Sequence, residues 1–282
     1  KRMSTLSREE IAGRLKQLPS LPGVVSELLS SFGQDDIDVD IIAQQIARDQ
    51  ALAARVLRVA NSSFYGLQNR VSTIQEAVTV LGFRAVRSMV VAVGMSGTFR
   101  HEQCPEFDAK IYLRHGVGTA LAARVLAAHT GINPDLAFTA GLLHDIGQLV
   151  LVAHFPQQYA AVLAYRRQHD CFIIDAERDV LGIDHAEVGG MLAEAWHFPQ
   201  VLHEAVADHH APAGTTATSL ANLIHVADVT AHALGLTQAD DEMVAPLDRT
   251  AWERLGGDWA AYAAALPEIE HGFEEACQVI SL

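Results

Sequence analysis

The amino-acid sequence predicts an all-α fold, and three observations carry that prediction. Apolar residues recur at three- and four-residue spacing along alanine-rich segments from end to end. Capping residues stand just before several of these periodic runs. Alternating β-branched stretches joined by hairpin turns, the mark of strands, are almost absent.

The elements follow in chain order. Ser7 and Glu10 have the spacing of a capping box, with Leu6 and Ile11 as its hydrophobic staple, so a first helix starts there and Pro19 and Pro22 break it. A second runs from Gly23 to Phe32 through Val24, Val25, Leu28 and Leu29. Asp38 caps a third carrying Ile42 and Ile46, and Asp49 caps a fourth that reaches Asn61 and stops at Ser62-Ser63-Phe64-Tyr65-Gly66. Ser72 and Gln75 are read as a second capping box, Leu81-Gly82 ends that helix, and Phe83 to Phe99 supplies a sixth, buried one.

The stretch from His101 to Asp108 is polar and holds a proline, which places a sub-domain boundary there. Beyond it helices are expected over Ile111–His129, Asp135–His154, Pro156–Gln168, Asp184–Trp196, Pro199–His209 and Ser219–Leu234. The expected architecture is two packed helical sub-domains, 1–100 and 101–235, with a helical extension over 236–282 packed around the second. That extension, with Trp252, Trp259 and a helix after Pro267, carries no motif.

Composition excludes several functions. With 282 residues, half of them apolar, the chain can bury a proper core. A formal net charge of −14 repels a phosphate backbone, and no Lys/Arg cluster with interleaved aromatics offsets it, so no direct nucleic-acid binding is expected. No window reads as the uninterrupted apolar run of about eighteen residues that a membrane span requires. The opening Lys1-Arg2-Met3-Ser4 leads into a polar helix, so the expectation is no membrane and a cytoplasmic location. Cys104, Cys171 and Cys277 form no C-x-x-C pair and read as small half-buried thiols. A chain that begins with Lys1 reads as a piece of a longer protein.

The chemistry is carried by histidine and aspartate. In Gly141-Leu142-Leu143-His144-Asp145-Ile146-Gly147 an apolar run ends on two adjacent coordinating groups. Neighbouring side chains on a helix diverge by about 100°, so the pair can share one ion only if other helices complete the shell. His115, His185, His209, His210 and Asp228 are the candidates. Imidazole with carboxylate suits zinc, iron, manganese or nickel, and Asp145 is placed to bridge two such ions about 3.5–4 Å apart. His101, His129, His154, His169, His197, His203, His225, His232 and His271 read instead as core-edge histidines satisfied by neighbouring groups.

Two stretches resemble a known family. Leu18-Pro19-Ser20-Leu21-Pro22, Ile46 to Leu52, Val56 to Gly66, Ile74 to Val78 and Leu81-Gly82 look like the signature of the HDOD domain. Arg114-His115, the Gly141 to Gly147 motif, His185 to Gly189, Trp196, Pro199 and His209-His210 are similar to its degenerate HD half. The resemblance implies an all-helical signal-transduction output module of bacterial regulators, often behind a receiver domain and generally non-catalytic, with an HD-like C-terminal sub-domain. It also implies an order of metal ligands, His115, His144, Asp145, His185, His209, His210 and Asp228, shared with the two-metal HD-GYP phosphodiesterases. This chain departs from that catalytic pattern at Gln148, where the pattern has a lysine, at Ile111, where it has a glutamate, and in lacking any GYP segment.

Three readings therefore stay open. The first is a response-regulator output or interaction domain without catalysis, its partner a signalling protein or an attached receiver domain. The second is a metal-dependent phosphohydrolase acting on a nucleotide or cyclic dinucleotide through Asp145 and one or two divalent ions. The third is a sensor that binds a nucleotide or metal without turnover.

Overall fold

The computed structural model describes residues 5–18, 21, 23–33, 38–62, 65–95, 99, 102–212 and 219–280. Among them every regular element is helical, as the periodicity predicts. The expected breakers Pro19 and Pro22, the loop residues Ser63 and Phe64, and Arg100 and His101 at the expected boundary lie outside the described residues.

The first half holds α1 (Arg8–Leu15), α2 (Gly23–Ser30) with a 3-10 turn at Ser31–Gly33, α3 (Val39–Arg48), α4 (Gln50–Ala60), α5 (Ile74–Leu81) and α6 (Phe83–Met95). Ser7 and Glu10 make the reciprocal capping box on α1, and both staple residues, Leu6 and Ile11, are buried. Asp38 and Asp49 cap α3 and α4 through their carboxylates. The capping box of α5 is one residue later than expected: Thr73 and Glu76 form it, and Ser72 adds its N–H to the same Glu76 carboxylate at 2.6 Å. A one-residue offset is ordinary for cap signals where two hydroxyl residues are adjacent. Gly82 ends α5 with φ of 87°, a conformation that disfavours side chains.

The second half holds α7 (Ala109–Ala127), α8 (Pro134–Leu143), α9 (Ile146–His154), α10 (Pro156–His169), α11 (Ile173–Leu181), α12 (His185–Ala195), α13 (Gln200–Ala207) and α14 (Leu220–Ala233). The tail adds α15 (Arg249–Arg254) and α16 (Trp259–Ile280). Two expectations are corrected here. The single helix expected over Asp135–His154 is two, broken at His144-Asp145, and α11 has no counterpart in the sequence reading. The Pro134–His154 stretch is long and apolar enough by composition to cross a membrane, contrary to that reading, but most of it is buried inside the protein and it bends at the His-Asp pair.

The core is continuous, running from Leu6 to Cys277 through both halves. α7 lies at its centre, packed against α8, α14 and α16, while α6 docks the first half onto α8 and Ser88 Oγ donates to the Asp135 carbonyl at 2.8 Å. α1 packs against α12, where Arg8 pairs with Glu187 at 2.7 Å, and just before α1 the Leu6 N–H reaches the Leu181 carbonyl at the end of α11 at 2.8 Å. Helix α16 is bound to α7 through Arg114, which pairs with Glu274 at 2.7 Å and donates to the Leu236 carbonyl at 3.0 Å. The three thiols are free, as expected.

Candidate metal centre

Two glycines decide where the His144-Asp145 pair can go. A side chain at Gly141 would meet the Ala120 backbone of α7 at 2.5 Å, and one at Gly147 would meet the His185 carbonyl oxygen of α12 at 1.9 Å. Neither glycine has a left-handed φ, so what they supply is close backbone approach. They bring α8 onto α7 and α9 onto α12. The break between α8 and α9 then aims His144 and Asp145 at His115 on one side and His185 on the other.

The seven sequence-predicted residues converge. Asp145 Oδ1 lies 3.4 Å from His144 Nε2, 3.1 Å from His185 Nε2 and 3.5 Å from His209 Nε2, while its Oδ2 lies 3.6 Å from His115 Nε2. Asp228 Oδ1 is 3.1 Å from His115 Nε2 and 3.8 Å from His144 Nε2. His115 and His144 face each other Nε2 to Nε2 at 3.1 Å, and His185 and His210 do so at 2.8 Å. Asp145 belongs to both halves of the cluster, one set being Asp145, His185, His209 and His210 and another His115, His144 and Asp145, each with ligand atoms within 4.8 Å.

Groups behind the ligands fix their orientation. His144 Nδ1 donates to the Gly141 carbonyl at 2.7 Å and His209 Nδ1 to the Val206 carbonyl at 2.8 Å, so in the neutral rings each Nε2 is a bare lone pair aimed inward. His185 Nδ1 meets Glu177 Oε2 at 2.6 Å, and the same oxygen accepts the His185 backbone N–H at 2.8 Å. Tyr159 lies 3.1 Å from Glu177 Oε1 and 3.2 Å from Gln148 Oε1, and Gln148 donates to Asp145 Oδ2 at 2.8 Å. Asp145, His185, Glu177, Tyr159 and Gln148 thus form a closed ring of polar contacts.

Burial and charge oppose each other across the cluster. Burial pushes the His144 imidazole down to about 4 and, with His209 and His185 nearby, holds His210 well below the usual range. For His185 burial acts the same way, but Glu177 and Asp145 outweigh it and raise the ring well above the ordinary value. Burial would raise Asp145, yet His144 and His185 hold it well below the carboxylate range; His115 and His232 do the same for Asp228. Among the described residues His209 Nε2 and Asp228 Oδ1 have no hydrogen-bond partner despite complete burial. Lone pairs and carboxylate oxygens packed this closely repel unless a positive charge lies among them. The donor set therefore fits a divalent transition-metal ion, the proton on His185 being what such an ion would displace.

Sequence reasoning missed three residues. His232, read as a core-edge histidine, stacks on His115 with ring centroids 4.4 Å apart and points Nε2 at Asp228 Oδ1, 3.5 Å away. Its place one turn after Asp228 on α14 was the available signal. Glu177, fully buried, and Glu242, which holds His232 Nδ1 at 2.7 Å, are brought in by folding alone. His225 stays apart from the cluster: its Nδ1 donates to the His209 carbonyl at 2.8 Å and its Nε2 accepts the Asp248 N–H at 2.9 Å.

Comparison with known proteins agrees with this architecture. An uncharacterised protein of Treponema pallidum is 27% identical over 204 residues, 71% of this chain but 39% of that protein. Ribonuclease Y of Thermus thermophilus is 32% identical over 116 residues, 41% of this chain and 15% of that enzyme. The chain thus spans well under half of either relative. Among solved structures, a putative phosphohydrolase from Shewanella amazonensis is 28% identical with a TM-score of 0.76, covering 96% of this chain and 97% of that one. An HDOD domain protein of unknown function from Geobacter sulfurreducens has a TM-score of 0.81 at 23% identity, covering 97% of each. The HDOD domain profile matches residues 18–212, across both the Leu18 to Gly82 segment and the histidine-bearing helices up to His210, and on that match over more than half its length this chain belongs to the HDOD domain family.

Proposed function

We propose that this chain is a signal-transduction output module in which a divalent transition-metal centre ties together helices α7, α8, α9, α12, α13 and α14. One observation carries the reading: imidazole nitrogens from His115, His144, His185, His209 and His210 converge on the carboxylates of Asp145 and Asp228, with orientations fixed from behind by carbonyls and Glu177. Zinc, iron, manganese and nickel all suit this donor set. His144, Asp145, His185 and His209 are almost wholly buried, as in closed structural sites. The partner is then a signalling protein or an attached receiver domain, and a cytoplasmic location is part of the same reading.

Phosphodiester hydrolysis fits less well. Stabilising the transferring phosphoryl group takes placed cations. Gln148 stands where the catalytic pattern has lysine, and its amide is engaged with Asp145 and Tyr159. The likeness to the putative phosphohydrolase of Shewanella amazonensis favours the enzyme reading, in which Asp145 bridges two ions. Elemental analysis of protein purified without chelator or affinity resin tests the centre: about one or more ions per chain is expected, and a metal-free protein that takes none up on dialysis would remove it.

A further inference from the structure

His232 and Glu242 form a pair that the metal centre described above does not use. Asp228 and His232 stand four residues apart on α14, so their side chains lie on one face. Asp228 Oδ1, a buried carboxylate oxygen without a hydrogen bond, is approached by His115 Nε2 at 3.1 Å and His232 Nε2 at 3.5 Å. The two rings are stacked with an interplanar angle of 25°, and both Nε2 atoms face the same Asp228 oxygen.

The orientation of His232 is built rather than incidental. Its Nδ1 is held by Glu242 Oε1 at 2.7 Å, and the other Glu242 oxygen accepts from the Thr237 hydroxyl. The segment is pinned beside that carboxylate, because Arg166 of α10 bonds the Asp241 carboxylate at 2.6 Å and its carbonyl at 2.7 Å. A carboxylate behind Nδ1 is the usual support of a metal-binding imidazole, and it leaves Nε2 as the free ligand atom. Solvent reaches this corner through His232, whose side chain is 29% exposed, against 10% for His115 and 6% for Asp228.

We propose that His115, Asp228 and His232 form a second cation seat on the solvent edge of the centre, oriented by Glu242, that takes an exchangeable divalent transition-metal ion. The three ligand atoms lie within 4.8 Å of one another. Ligands around a tetrahedral ion with bonds of about 2.0–2.2 Å stand roughly 3.3–3.6 Å apart, which the separations of His115 and His232 from Asp228 Oδ1, 3.1 and 3.5 Å, already approach. Three protein ligands leave a coordination position open to solvent, whereas Asp145, His185, His209 and His210 supply four to the buried ion. The competing occupant is a proton, shared by His232 with Asp228 and Glu242.

This seat rests on the metal-centre reading, and the experiment separates the two. The full chain, stripped with chelator, is equilibrated at graded free Mn²⁺ or Zn²⁺ and its ions per chain are counted. The parent is expected to show one tightly held ion and a second, weaker one. His232→Asn, whose amide can still donate to Glu242 but offers no Nε2, is expected to lose the weaker ion and keep the tight one. Glu242→Gln, which keeps the shape of the side chain but removes its charge, is expected to weaken the second ion by about 10- to 100-fold. A parent that takes up no ion overturns both the centre and this seat. A parent whose uptake is the same in His232→Asn and Glu242→Gln overturns the seat alone and leaves the proton as its occupant.

Discussion

Replacing Gly147 by alanine tests whether the α9–α12 approach assembles the site. The new Cβ would lie 1.9 Å from the His185 carbonyl oxygen and 2.7 Å from the Gly189 nitrogen, against about 3.4 Å for ordinary contact. Both neighbours are backbone, so α12 must retreat by roughly 1.5 Å. Overpacking of this kind costs about 1–3 kcal/mol, here at the upper end. The retreat also breaks the 3.1 Å contact of His185 with Asp145, a charged hydrogen bond contributing about 1.5–3 kcal/mol. Alanine recovers about 1 kcal/mol of helix propensity, which leaves a net loss of about 3.5–5 kcal/mol. At about 3 kcal/mol per molar urea, the midpoint followed by circular dichroism in chelator falls by about 1.2–1.7 M. Gly13→Ala in α1, where a Cβ meets nothing within 4 Å, is the control and is expected to raise stability slightly. An unchanged or higher midpoint in Gly147→Ala would refute the close-approach argument.

The remaining predictions concern charge and chemistry. Because burial depresses His144 to about 4 and His210 well below the ordinary range, the unfolded chain binds these protons first; the metal-free protein loses stability as pH falls from about 6.5 towards 4. His185, raised in the folded state, is protonated in both states below about 6.5 and does not offset that loss; a urea midpoint that is flat or rising over the window contradicts it. Tyr159→Phe removes the hydroxyl between Glu177 and Gln148 and is expected to cost about 1–3 kcal/mol in urea unfolding and to weaken metal retention, whereas unaltered metal content would deny Tyr159 a positioning role. Cyclic di-GMP is not expected to be turned over with added manganese, iron(II) or nickel. Turnover of order one per second, abolished by Asp145→Ala, would make the chain an enzyme, and a gain of activity in Gln148→Lys would locate the defect at that position.

The local features of this fold were legible in the sequence because their causes are local. Caps at Ser7, Asp38 and Asp49 depend on a side chain and a backbone N–H three residues away, and the helices start where those residues stand. The break at His144-Asp145 was not legible, since an apolar run reads the same whether one buried helix or two cross the core. The order of the histidines and aspartates pointed to a cluster, but their convergence depends on how closely helices can approach. That was decided where Gly141 meets Ala120 and Gly147 meets His185, contacts between residues far apart in sequence. Glu177 and Glu242 show the same limit: each looks like an ordinary charged residue along the chain, and only the packing of α11 beside α12, and of the Thr237–Glu242 turn against α14, sets a carboxylate behind a ring nitrogen.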